Sequence, residues 1–142
     1  MPYKLIDYVP GRILYSHIYG EYSPTEMAQS NIDVIAYLEQ YQTPVHVISD
    51  FTQMTNFLHD VPLLVKTFSF FAHPHQGWSI VISPDPIVRV VSTAVVQQIK
   101  QADIEVMMRA FGDRQSALAF LARIDLTLPS LPPLTFPDSA SL

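Results

Sequence analysis

The chain has 142 residues, a formal net charge of −5 and no cysteine. That length suits one domain burying about 70% of its unfolded surface, and the missing cysteines exclude disulfides, thiolate chemistry and Cys-based zinc or iron sites. Eight scattered lysines and arginines against 13 acidic residues do not make the basic patch a phosphate backbone requires, so no nucleic-acid partner is expected.

No apolar run reaches the roughly 18 residues of a membrane span. The start, MPYKLIDYVPGR, lacks a cationic segment followed by a long apolar run, so no signal peptide and a cytoplasmic location are expected. Only 15% of residues are charged, against about 25% in an average soluble domain. With so little charge to spread, part of the surface is expected to be apolar and covered by a partner.

Tyr3 to Tyr8 and Arg12 to Tyr19 read as two strands around the Pro10-Gly11 turn, hence a β-hairpin. Ser23-Pro24-Thr25-Glu26 has the form of a capping box with proline in the tolerated first helical position. Met27, Asn31, Val34, Ile35 and Leu38 then recur at helical spacing. Val45 to Ser49 is the short β-branched run of a buried, central strand.

After a loop from Asp50 to His59, Asp60 caps a helix expected over Pro62 to Ala72, closed by His73-Pro74-His75-Gln76-Gly77. Trp78 to Ser83 reads as the next strand, and Pro84-Asp85-Pro86 opens Ile87 to Lys100, β-branched but long enough to favour helix. Ile104 to Phe111 is the last strand, Gly112-Asp113 a turn and cap, and Ala117, Leu118, Leu121 and Ile124 one face of a closing helix.

The order ββαβαβαβα predicts a two-layer α/β domain over 1–124, its sheet mostly parallel or mixed. Residues 125–142, with Pro129, Pro132, Pro133 and Pro137, read as an extended tail.

This order, with a strand ending in Ser49-Asp50-Phe51-Thr52 and a loop running into a helix that follows, resembles the STAS fold of anti-sigma-factor antagonists, also called SpoIIAA-like. The resemblance covers about residues 3 to 124. GRILYSHIYGEYS, PVHVISDFTQMT and FSFFAHPHQGWSIVIS further resemble small uncharacterised bacterial proteins of this shape. The resemblance implies a partner-binding regulatory module. The family's loop carries an Asp-Ser-Ser-Gly-like segment with a phosphorylated serine. Here the stretch reads TQMTNFLHD, so Thr52 and Thr55 supply hydroxyls outside the motif and no functional residue is carried over.

Asp50, at a strand's carboxyl end where open α/β sheets place ligands, is a candidate ligand-binding carboxylate. Its competing role is to bond the backbone of the Thr52 turn. Phe68 and Phe71, three apart, share a helical face and read as core. Phe70 points elsewhere and, with Trp78, is the candidate wall of an apolar ligand site. His73 and His75 form an H-x-H pair with no third ligand apparent by spacing, where a metal site generally needs three or more, so no metal and no cofactor are expected. His46, Ser49 and Asp50 are the residue types of a hydrolase triad, yet the four glycines form no G-x-S-x-G elbow, P-loop or dinucleotide fingerprint.

Ile87 to Ile99 carries one charge, Arg89, and a helix apolar nearly all round is buried on more than one side. In a two-layer domain the second cover would be another chain, so Val88, Val91 and Val95 are the expected homo-oligomer interface. The sequence therefore predicts a non-enzymatic protein-interaction or regulatory module, with a small apolar, lipid-like ligand binder as the alternative.

Overall fold

The computed structural model describes residues 3–56, 60–68, 70 and 73–133. In chain order the elements are β1 (Tyr3–Val9), β2 (Ile13–Gly20), α1 (Pro24–Glu39), β3 (Val45–Met54), α2 (Val61–Thr67), β4 (Gln76–Ile82), α3 (Pro86–Lys100), β5 (Met107–Phe111) and α4 (Arg114–Ile124). The strands lie side by side in the order β1-β2-β3-β4-β5, with β3 in the middle. β1 runs antiparallel to β2, and every other pair is parallel. The hairpin turns at Gly11, whose φ of +72° lies in the left-handed region that glycine enters freely.

Helix starts follow from side-chain caps. Ser23 Oγ accepts the Glu26 amide, and Asp60, Asp85 and Asp113 accept the amides of Leu63, Ile87 and Ser116. Each cap satisfies one otherwise orphaned N–H and contributes about 1 kcal/mol. α2 is shorter than expected because the chain turns away after Thr67. The Phe70 amide donates to Asn31 Oδ1 of α1 at 2.9 Å, which draws this stretch across α1 instead of onward in a helix. Phe71 and Ala72, expected in that helix, lie outside the described residues, as does His59. β5 begins three residues later than expected, at Met107, since its first rung pairs with Trp78 and the turn at Asp103 (φ +60°) precedes it.

Strand alternation sends successive side chains to opposite faces, and here both faces are covered. Leu14, Val45 and Val47 pack with α1, α2 and α3. Ile13, Tyr15, Ile48, Ile80 and Ile82 pack with Ala117, Phe120 and Leu121 of α4. The mixed α/β sheet is thus a sheet with three helices on one side and one on the other, a third layer that the two-layer expectation lacked.

The second cover for α3 comes from the same chain. Val88, Val95, Val96 and Ile99 are buried, and Val91 and Val95 face Leu64, Phe68 and Phe70 across a small gap. The valines named as an oligomer interface therefore point inward, and the outer face carries Ile87 (53% exposed) and Val90 (68%).

Residues 125–133, read from sequence as the start of a tail, lie against the α4 side. Leu128 and Leu131 join that core, Arg12 reaches Asp125 and Thr127, and Tyr8 donates to the Pro132 carbonyl. Residues 134–142 are outside the described residues.

Candidate functional site at the carboxyl ends of the parallel strands

Asp50 is fully buried on the α4 side of β3. Its Oδ2 accepts from Tyr15 Oη at 2.5 Å and Arg114 Nε at 2.6 Å, and its Oδ1 from the Thr52 amide at 2.9 Å and Thr52 Oγ1 at 2.6 Å. A carboxylate offers about four lone-pair sites, so these donors saturate it. Burial pushes the Asp50 carboxyl up, but the bonds from Thr52, Tyr15 and Arg114 outweigh it and the net direction is down. Burial beside that carboxylate pushes the Tyr15 phenol up. Neighbouring His17, also buried, is pushed down chiefly by desolvation, against the pull of Asp50. The cluster ties β2, β3 and the first turn of α4 together.

Beyond Asp50 the end of β3 forms one wall of a rim. A polar cleft of about 150 Å³ is bounded by Thr52, Thr55 and Asn56 from the end of β3, and by Ser83, Asp85 and Val88 at the start of α3. The rim is held in place at each point. The Thr55 amide donates to the Gly20 carbonyl at 2.9 Å, Asn56 Oδ1 accepts the Tyr22 amide at 2.7 Å, and Ser83 Oγ accepts the Asp85 amide at 3.1 Å. Thr55 and Asn56 remain exposed. Asp85 occupies the α3 N-terminus, the place an anion would take.

The other candidate residues are dispersed. Phe70 is 3% exposed in the core under α1, α2 and α3, on the sheet face opposite Asp50. There it lines an apolar cavity of about 30 Å³ with Ser49, Phe51, Leu64, Phe68 and Val95. Trp78 shares the Asp50 face but packs edge-on against Phe120, 5.1 Å between ring centres, near the opposite end of the strands. Asp50, Phe70 and Trp78 therefore do not meet. His46 lies on the Asp50 face four residues away, about 13 Å along a strand, and Ser49 points to the other face, so the three do not assemble. His73 Nδ1 accepts the His75 amide at 3.1 Å, and His75 Nδ1 lies 3.2 Å from the Leu38 carbonyl, which makes the pair a turn fastened to α1.

Three residues of these networks were not singled out from sequence. Arg114 sits in the first turn of α4, where the helix dipole disfavours a cation, and that misplacement is the signal that it answers a buried carboxylate. Asp125 bonds His46 Nε2 at 2.9 Å while His46 Nδ1 accepts the Trp78 amide at 2.9 Å. Gly77 makes room for that ring, since a Cβ there would lie 2.6 Å from His46 Nδ1. No local pattern announces a pairing of residues 46 and 125.

With the geometry in view, the chain has the SpoIIAA-like, STAS-type fold. It is similar to the anti-sigma factor antagonist SpoIIAA in its unphosphorylated form, with a TM-score of 0.55 and 17% identity over 87% of this chain and 98% of that one. It is also similar to an uncharacterized protein of the DUF3478 family with a SpoIIAA-like fold from Shewanella loihica PV-4, with a TM-score of 0.54 and 14% identity over 84% of this chain and 91% of that one. No family model and no curated protein matches the chain. No described helix is long and apolar enough to cross a membrane.

Proposed function

We propose that this chain is a non-enzymatic regulatory module that binds a protein partner through the rim formed by Thr52, Thr55, Asn56 and the start of α3. The observation that carries this reading is the rim itself: exposed Thr55 and Asn56 on a segment fastened to Gly20 of β2 and to Tyr22, at the sheet end where open α/β folds receive ligands. A pinned surface loses little conformational freedom on binding. The most prominent buried acid, Asp50, is bound by four donors and holds no lone pair ready for a substrate proton. SpoIIAA is an anti-sigma factor antagonist, and by analogy of fold a protein is the leading class of partner.

The test is a substitution pair in the tagged full chain purified from its native cells. Thr55→Arg puts bulk and charge on the rim, and Gln98→Arg does the same on the exposed outer side of α3. Loss of the co-purifying protein with the first alone is expected, and equal retention by both contradicts the assignment.

A small apolar ligand is the second reading, favoured by the cavity beside Phe70. At about 30 Å³ it has room for about two water-sized groups, so a larger ligand requires α2 to move outward. Native mass spectrometry of the gently purified chain reads both a retained ligand and self-association, for which the outer face of α3 at Ile87 and Val90 offers exposed apolar surface.

A further inference from the structure

We propose that the open edge of β5, with Arg109 and Arg123, is a docking site for an extended acidic segment of a protein partner. This surface is distinct from the rim at Thr55, and the observations behind it are independent of that reading.

β5 is the last strand in the sheet, and among the described residues only β4 pairs with it. Its outer N–H and C=O groups are therefore available to an added strand, a common way of capturing an extended peptide. The rungs Trp78↔Met107, Ile80↔Arg109 and Ile82↔Phe111 put Met107, Arg109 and Phe111 on the α4 face. Met107 is 44% exposed and Arg109 is exposed beside it.

Two cations converge there on one ring. The guanidinium carbon of Arg109 lies 5.1 Å from the centre of Phe120, and that of Arg123, reaching from α4, lies 5.8 Å from the same centre. Phe120 is itself nearly buried, held edge-on by Trp78 and tilted against Phe111. Among the described residues neither arginine forms an ion pair, although acidic residues outnumber lysines and arginines 13 to 8. Stacking on a fixed ring preorganises a guanidinium for bidentate contact with a carboxylate.

A charge in mid-strand also protects an edge against unwanted pairing. That accounts for Arg109 but not for a second arginine brought to the same ring from a helix. The opposite edge differs, since β1 exposes Lys4 and Asp7 and is bulged between Ile6 and Val9. A second copy is a poor occupant, because antiparallel pairing of two five-residue β5 strands about their centres would set Arg109 against Arg109. An acidic strand paired about 4.8 Å from β5 would instead send alternate carboxylates to the α4 face, where both guanidiniums lie.

The test uses defined probes and the full-length, isotope-labelled chain in solution NMR. The probes are a capped heptapeptide alternating valine and glutamate, the same peptide with lysine for glutamate, and an oligothymidylate. The acidic peptide is expected to shift the amides of Met107 to Phe111 and Arg123, with a Kd of about 0.1–1 mM at low salt. Binding should fall about tenfold or more in R109Q/R123Q. Because both side chains pack on Phe120, R109K/R123K is measured alongside and should retain salt-dependent binding. Absence of shifts at β5, equal binding of the lysine peptide, undiminished binding by R109Q/R123Q, or tighter binding of the oligothymidylate at the same residues would each overturn the proposal. Shifts confined to Thr52–Asn56 would overturn it while leaving the rim as a binding face.

Discussion

Replacing Asp50 by asparagine changes one atom and reverses half of a buried network. The new side chain keeps an oxygen for the Thr52 amide and hydroxyl but turns an N–H₂ donor toward Tyr15 Oη and Arg114 Nε, both of which now donate. Breaking a buried ion pair by removing one member costs about 3–5 kcal/mol. Arg114 has 34% of its side chain exposed and can turn toward water, which lowers the expected loss to about 2–4 kcal/mol, near that of one or two charged hydrogen bonds. At about 2.1 cal/mol/K per residue the unfolding entropy of this chain is near 0.3 kcal/mol/K, so Tm should fall by about 7–13 °C.

Calorimetry on Asp50→Asn, Arg114→Met and the double variant closes the cycle. The single losses should exceed the double loss when added, with a coupling of about 1 kcal/mol or more. Since Asp50 sits beneath the rim and not in it, the folded Asp50→Asn protein should bind a partner within a few-fold of the native chain. A loss of stability below about 0.5 kcal/mol with additive singles would refute the described network.

Val88→Asp and Val90→Asp should behave oppositely: the first puts a charge where exposure is 3% and should prevent folding, and the second, at 68%, should fold with Tm nearly unchanged. Sedimentation of Val90→Asp against the native chain then reports whether the outer face of α3 mediates self-association. Gly77→Ala should displace the His46 ring, loosen Asp125 and lower Tm by several degrees, with faster proteolysis after Ile124 as the local readout. Stability should decline in two stages on acidification. His17 has a depressed folded pKa, so the unfolded state gains its proton first and stability drops as pH falls below about 6.5. Asp50 and Asp125 also have depressed folded values, so their contributions are complete above about pH 5 and are lost as pH falls below about 4. Denaturant titrations of the native chain and His17→Asn from pH 8 to pH 3 check this, with only the upper stage missing in the variant.

The fold was largely legible because its signals are local. The capping box at Ser23 and the aspartates at 60, 85 and 113 mark four helix starts, and the β-branched Val45 to Ser49 marks the middle strand. The placement of layers was less legible, since α3 looks apolar all round until α2 is seen covering Val91 and Val95. Sequence spacing also cannot say which face of the sheet a side chain takes without the register. That is why Asp50 and Phe70, twenty residues apart and both candidates for one ligand site, turned out to be separated by the sheet. The Asp50–Arg114 and His46–Asp125 pairs join residues far apart in the chain, and only the assembled topology brings them together.

The central claim, that a protein partner binds at the rim, is tested most directly by site-specific photo-crosslinking in native cells. A benzophenone amino acid is placed at Thr55 or Asn56 on the rim, and at Gln98 or Ala122 on exposed surface away from it. The account predicts one and the same protein crosslinked from Thr55 and Asn56, confirmed with that protein purified, and absent from Gln98 and Ala122. Crosslinks to it from Gln98 or Ala122 with none from the rim would contradict the account.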